Sequence, residues 1–294
     1  LGNKRKLIFN IEDIVKRIYE EKKNKLIIGD GFSGSGIVSR LFKRYASKLY
    51  VNDLSYYSKI LNYCFLSNIS KDKFELISEN IKNANIFVNN KIQEDVKIVD
   101  PFISKHWAPS GVIKSSDRVY FSEENAKRID WYHYYIDNHV PEQIKYFLYG
   151  VLIVKSSIHN NTLGQFSSFL KDETNKFGKF GGKNENDLER ILKPIELEIP
   201  VYENHNCKVF IDQKDTNIWS KNDVKFDLVY YDPPYNKHPY SIYYFMLDII
   251  AEWNINENIP NTTRGQPKKW TKSSYNSITH AKDAFDELIK NTNS

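Results

Sequence analysis

Asp232-Pro-Pro-Tyr235 is the stretch of this chain most clearly suited to chemistry. Two consecutive prolines remove two backbone N–H donors and stiffen the chain. What remains is a set of acceptors, the Asp232 carboxylate and the Pro233 carbonyl, with Pro234 holding them in place. Such a pair suits an exocyclic amino group, which has two protons to donate. Tyr235 adds a ring on which a flat base can stack. Taken alone, the same four residues could be a proline turn that ends a strand. A second stretch, Asp30-Gly-Phe-Ser-Gly-Ser-Gly36, weighs against that reading. Its glycines let the backbone turn sharply and approach a ligand closely, because no Cβ intervenes. Further along, Asp53 can accept hydrogen bonds from ribose hydroxyls, although an acid before a helix can equally be its cap.

The elements needed to position these residues are visible as alternating apolar runs. Residues 25–30 predict a buried strand that ends in the glycine turn. Residues 36–46 predict a helix, with Ile37, Val38, Leu41 and Phe42 at helical spacing. A second strand is expected at 48–53 and a second helix at 55–66. Strand–helix alternation at this pitch implies a parallel sheet with helices on its faces. The pattern returns with strands at 207–212 and 226–232, the latter buried on both faces at its centre. An apolar helix is expected at 240–253 and a last helix at 279–290.

The middle of the chain reads differently. Residues 101–116 look loop-like, with Pro101, Pro109 and Gly111. Ser122-Glu-Glu opens a helix with a capping hydroxyl and acids at its positive end. Pro141 opens another, at the position a helix tolerates best. Residues 177–183, rich in glycine, read as a flexible turn. The segment 99–196 is therefore expected to be an inserted, mainly helical region.

Composition narrows the classes. No run approaches the roughly 18 apolar residues of a membrane span, and the charged start lacks an apolar leader core. The two cysteines, Cys64 and Cys207, lie outside any CxxC, so neither a disulfide framework nor a zinc ribbon is expected. His205 and Cys207 are too sparse for a metal site. A cytoplasmic protein without a metal is the expectation. With 42 Lys+Arg against 37 Asp+Glu the net charge is +5, which permits a polyanionic partner without demanding one.

The glycine turn alone admits two ligands. Gly29, Gly31 and Gly34 fit the GxGxxG dinucleotide fingerprint. Alternatively, Asp30-x-Phe-x-Gly-x-Gly is similar to the turn that wraps S-adenosylmethionine in class I methyltransferases. With Asp232-Pro-Pro-Tyr235 downstream, the whole resembles the N6-adenine DNA methyltransferases of the α order, D12-like enzymes of restriction–modification systems. The resemblance rests on both ends of the chain and not on its middle. It implies a Rossmann-like α/β sheet in a discontinuous catalytic domain, 1–98 and 197–294. The region 99–196 would then serve target recognition. It implies S-adenosylmethionine as cofactor, held by Gly2, Asn3 and Lys4 of a leading motif, by Asp30, Phe32, Ser33, Gly34 and Gly36, and by Asp53. An acid after the third strand would lie near the cofactor adenine; Asp215 is favoured over Asp212. The catalytic residues would be Asp232, Pro233, Pro234 and Tyr235. The implied partners are double-stranded DNA and a cognate restriction endonuclease.

Phosphate or base contacts are expected from Asn236 and Lys237, just after the catalytic turn, and from Arg264, Lys268 and Lys269 in a basic stretch. A solvated loop is the competing reading of that stretch. Family members continue past the catalytic helix into further strands, whereas this sequence stops at Ser294. Either the molecule is truncated or a second polypeptide supplies them. The start at Leu1 likewise suggests a fragment. Three alternatives stay open: a DNA-binding half of a split enzyme, an RNA adenine methyltransferase, and a cytosine N4 enzyme, which more often carries Ser in place of Asp232.

Overall fold

A computed structural model of the chain describes residues 4–203, 205–234, 239–254, 259, 261–267 and 273–293, with the Arg5 side chain left out. In chain order the elements are α1 (Ile8–Lys22), β1 (Leu26–Asp30), α2 (Ile37–Lys43), β2 (Ala46–Asn52), α3 (Tyr56–Leu66), α4 (Lys71–Gln93), α5 (Ile103–His106), α6 (Glu123–His139) and α7 (Lys145–Ile158). Then come α8 (Leu188–Leu192), β3 (Lys208–Asp212), α9 (Thr216–Trp219), β4 (Leu228–Tyr230), α10 (Tyr240–Glu252) and α11 (Ala281–Asn291). The chain divides into two compact units. The first comprises Leu1–Ser70, Pro200–Pro239 and Thr271–Ser294; the second comprises Lys71–Ile199 and Tyr240–Trp270.

The first unit is a mixed α/β structure around a parallel sheet of four strands in the order β3-β2-β1-β4. Period-two alternation splits its strands between two layers. Leu26, Ile28, Leu49 and Val51 point into a core shared with Val15 of α1 and Val38 and Phe42 of α2. On the other side Tyr50 stacks on Phe210 at 4.4 Å and meets Phe226 edge-on. Gly29 belongs to that side too. A Cβ there would come within 3.1 Å of both Phe226 and Trp219, so the aromatic layer occupies the space a side chain would need.

The expected strands and helices of this unit are present, with shifted ends. The helix predicted to reach residue 46 stops at Lys43, because the turn at Arg44 and Tyr45 leads straight into β2. The last strand is shorter than expected, Leu228–Tyr230, and only half-buried. It pairs with β1 on one side and is an edge of the described sheet.

The second unit is mainly helical. It contains α4 and α10 as well as the elements from α5 to α8. Ser122 caps α6 as expected, accepting from the amide of Asn125 at 3.1 Å. Pro141 precedes a short 3-10 turn, Glu142–Ile144, and not the α-helix itself. Two expectations need correction. The glycine-rich segment 177–183 is packed and hydrogen-bonded: Gly181 donates to Asn161, Asn161 donates to the Lys179 carbonyl, and Gly178 lies against Val119 where no Cβ fits. The stretch 101–116 holds a helical turn, α5. Asp130 of α6 explains it, because its buried carboxylate accepts from the amides of Phe102, Ile103 and Ser104 and from the Ser104 hydroxyl.

Removing that acceptor strands buried donors. Asp130→Ala should destabilise the chain by about 1–3 kcal/mol in chemical denaturation. Asp130→Asn, which keeps one acceptor, should lose less. Equal stability of the alanine variant and the wild type would contradict this role.

Candidate active site

The glycine turn after β1 is fastened on several sides. The amide of Gly31 donates to the Tyr230 carbonyl at 3.0 Å, and the amide of Ser33 to the Asn52 carbonyl at 3.0 Å. The amide of Gly34 donates to Asp53 Oδ2 at 2.8 Å. The turn is thus tied to the ends of β4 and β2 together. Its glycines have different surroundings. A Cβ on Gly31 would run into the ring of Tyr231 at 2.6 Å. Gly36, with φ of +72°, is the N-cap of α2 and faces Asn62. Gly34, with φ of +51°, has no described residue within 4 Å of where a Cβ would stand, so among the described residues its Cα side is open.

Three carboxylates stand at the ends of the three adjoining strands. Asp30 ends β1 and is fully buried. The Ser39 hydroxyl donates to its Oδ2 at 2.5 Å, while Oδ1 has no hydrogen-bond partner among the described residues. Burial pushes its carboxyl from 3.8 up to about 7; Ser39 lowers it, and the charges of Asp53 and Asp232 raise it further. Asp53 is half-buried. Removal from water raises its pKa, while the amides of Ser55 and Gly34 stabilise the carboxylate. It therefore both fastens the turn and receives the Ser55 amide at 2.9 Å at the start of α3. The ribose-binding and capping readings of Asp53 concern one carboxylate that has further lone pairs to offer. Asp232 lies two residues past β4, and its Oδ2 is paired with Lys4 Nζ at 2.5 Å.

The other expected site residues are distributed as follows. Phe32 packs edge-on against Tyr275 at 5.3 Å and Tyr231 at 6.3 Å, in a small apolar cluster with Leu288 of α11. Ser33 is buried. Asp215 caps α9, accepting from the amide of Asn217 at 2.9 Å, and Asp212 pairs with Lys214. Pro233 and Pro234 are half-buried. In the second unit, Arg264 is exposed in a turn that Arg118 holds by donating to the Thr262 carbonyl at 3.1 Å. Gly2, Asn3, Tyr235, Asn236, Lys237, Lys268 and Lys269 lie outside the described residues.

Several supporting residues escaped the sequence reading. Asn52 ends β2 fully buried. It donates to the carbonyls of Gly31 at 3.3 Å and Lys214 at 3.1 Å, and accepts from the Lys214 amide. Thr216 donates to the Gly31 carbonyl at 2.9 Å. Ser39 holds Asp30, and Ser58 and Asn62 of α3 reach the turn from another side. The one available signal was a polar residue closing an apolar strand, Val51-Asn52.

A parallel sheet with a glycine turn after its first strand, an acid after the second and Asp-Pro-Pro after the fourth is consistent with the class I methyltransferase fold. The profile of the D12 class N6 adenine-specific DNA methyltransferases matches residues 1–293, and the chain belongs to that family. It is similar to the Type II methyltransferase M.NlaIII of Neisseria lactamica, with 27% identity over 295 residues, covering 99% of this chain and 79% of that protein. It is 29% identical to the Type II methyltransferase M.FokI of Planomicrobium okeanokoites and 26% identical to the modification methylase StsI of Streptococcus sanguinis. Each of these alignments covers 100% of this chain and 42% of the other protein, so the chain spans less than half the length of those two relatives. No solved structure matches the chain.

The raised pKa of Asp30 has a measurable consequence. Between pH 4 and 7 the unfolded chain has lost this proton and the native chain retains it. Its contribution to stability is therefore fully present below about 4 and declines as pH rises to about 7, on the order of 1 kcal/mol per pH unit. Asp30→Asn removes that decline. Denaturation curves should show the variant gaining on the wild type from pH 4 to 7 and levelling off above. A difference independent of pH would contradict a raised Asp30.

Proposed function

We propose that this chain transfers the methyl group of S-adenosylmethionine to N6 of an adenine turned out of duplex DNA, at a specific sequence, within a restriction–modification system. The observation that carries the reading is the placement of Asp232, Asp53 and the glycine turn at the ends of adjoining parallel strands. Ligands of open α/β sheets bind beyond the carboxyl ends of strands.

The residues present fit the cofactor. Gly34 offers an approach that a Cβ would narrow. Beside it is Asp53, a half-buried carboxylate that accepts from the Gly34 and Ser55 amides and has lone pairs left for a ligand's hydroxyl groups. When bound, S-adenosylmethionine supplies a methyl group made electrophilic by a sulfonium. Asp53 is suited to ribose hydroxyls; Phe32, Ser33 and Gly36 shape the turn. Asp215 and the leading Gly2-Asn3-Lys4 motif complete the proposed cofactor set.

Adenine N6 is a weak nucleophile because its lone pair is delocalised into the ring. The Asp232 carboxylate and the Pro233 carbonyl accept its two N–H bonds, which favours a pyramidal nitrogen and stabilises positive charge developing there. Lys4 is paired with Oδ2 of Asp232, and Oδ1 is the oxygen proposed to accept from the amino group. The released proton goes to solvent after transfer, so Asp232 need not be a strong base. Turning the base out of the duplex costs a few kcal/mol, which stacking on Tyr235 offsets by roughly 1–3 kcal/mol.

Asn236, Lys237, Arg264, Lys268 and Lys269 are the proposed DNA contacts, and the helical unit has the proposed role in target recognition. The names of the relatives, Type II methyltransferases and modification methylases, support a cognate endonuclease as functional partner. No helix among the described residues is long and apolar enough to cross a membrane. A cytoplasmic site of action accords with a DNA substrate.

Asp232→Ala should lower methyl transfer by at least ~10²-fold while S-adenosylmethionine still binds in calorimetry. Near-normal turnover would refute the acceptor role. Asp53→Ala should instead raise the cofactor dissociation constant by roughly tenfold, the worth of a good hydrogen bond to charge. An unchanged constant would remove Asp53 from the cofactor set.

A further inference from the structure

The open glycine turn is supported from behind by a polar pair on α3 that belongs to no motif. Ser58 and Asn62 stand four residues apart, so they share a helix face. Ser58 Oγ donates to the Gly34 carbonyl at 2.5 Å. Asn62 Nδ2 donates to Ser33 Oγ at 2.8 Å and to Ser58 Oγ at 3.3 Å. Both side chains are buried, at 0% and 1% exposure, on a helix whose other inward residues, Tyr57, Ile60, Leu61 and Cys64, are apolar core. Two uncharged polar groups in that position are unfavourable unless they are bonded. Asn62 is only partly repaid, because its Oδ1 has no hydrogen-bond partner among the described residues. That oxygen lies where a Cβ on Gly36 would come within 2.5 Å, so an alanine there is excluded by contact as well as by its φ of +72°.

The pair acts on the peptides that flank the open Cα of Gly34. Asp53 takes the Gly34 amide on one side and Ser58 takes its carbonyl on the other. Asn62 fixes the Ser33 hydroxyl one residue earlier. Rotation of either peptide would turn a carbonyl into the space beside Gly34, and these bonds resist it. We propose that Ser58 and Asn62 are positioning residues of the cofactor site. They set the affinity for S-adenosylmethionine by holding the turn in its binding shape, without touching the ligand. The inference rests on the cofactor reading given above and adds to it two residues outside the motif.

The test uses the full chain with Ser58→Ala, Ser58→Thr and Asn62→Leu. Calorimetry gives the dissociation constant for S-adenosylmethionine, and gel shift gives that for duplex DNA. Turnover is measured at saturating cofactor, and thermal melting checks folding. Ser58→Ala should weaken cofactor binding by roughly tenfold or more, the range in which outer supports of a site act. Turnover at saturation and DNA affinity should change by less than about threefold, within the scatter of a neutral substitution. Ser58→Thr, which keeps the hydroxyl, should recover most of the loss. Asn62→Leu should behave like Ser58→Ala, and the two effects should be non-additive because they act on one turn. If Asn62→Leu does not fold, Ser58→Ala and its threonine rescue decide alone. A folded Ser58→Ala chain with wild-type cofactor affinity would overturn the inference. So would a variant in which cofactor affinity, turnover and DNA affinity fall together with the melting temperature. A wild-type chain that binds no S-adenosylmethionine would overturn the cofactor reading itself, and this inference with it.

Discussion

Everything at the site depends on β1 being paired in parallel with a neighbour on each side. Parallel strands end at the same edge of a sheet. With β2 and β4 flanking β1, the turn after Asp30, the acid after Asn52 and the Asp-Pro-Pro after Tyr231 reach that edge together. None of these segments is close to the others in sequence. The pairing register makes them neighbours, and the Gly31–Tyr230, Ser33–Asn52 and Gly34–Asp53 hydrogen bonds lock them.

That arrangement has an electrostatic price, since the charges of Asp53 and Asp232 add to burial in disfavouring an ionised Asp30. Asp30 absorbs much of it: burial and its two acidic neighbours favour its protonated form near neutral pH. Lys4 offsets Asp232 directly. Asp53 is left as the half-buried carboxylate beside Gly34. The amino group of a base needs acceptors, and the prolines ensure that acceptors are what the adjoining turn presents. In the proposed reading, one edge of one sheet thus carries both the glycine turn and the acceptor turn that a methyl transfer would use.

Much of this was legible beforehand. The apolar run before Asp30, the glycine spacing and the Asp-Pro-Pro are local signals, and local geometry follows from them. Element ends were less legible. The end of α2 depends on how soon the chain must enter β2, and the exposure of β4 goes with its place at an edge of the described sheet. Partnerships across long stretches of sequence were not legible at all. Asp130 creates the turn of α5, and Asn161 orders the glycine-rich segment taken for a flexible loop. Ser58 and Asn62 look like ordinary polar residues of a helix until the fold shows what they touch. Serine and asparagine carry little pattern information, because their role is decided by a partner and not by periodicity.

The most direct test is chemical. The purified chain is incubated with methyl-labelled S-adenosylmethionine and duplex DNA, the DNA is digested to nucleosides, and the labelled nucleoside is identified. The account predicts label in N6-methyldeoxyadenosine, confined to one short sequence context. Label on cytosine N4, preference for RNA over duplex DNA, or no transfer from a chain that binds both partners would contradict it.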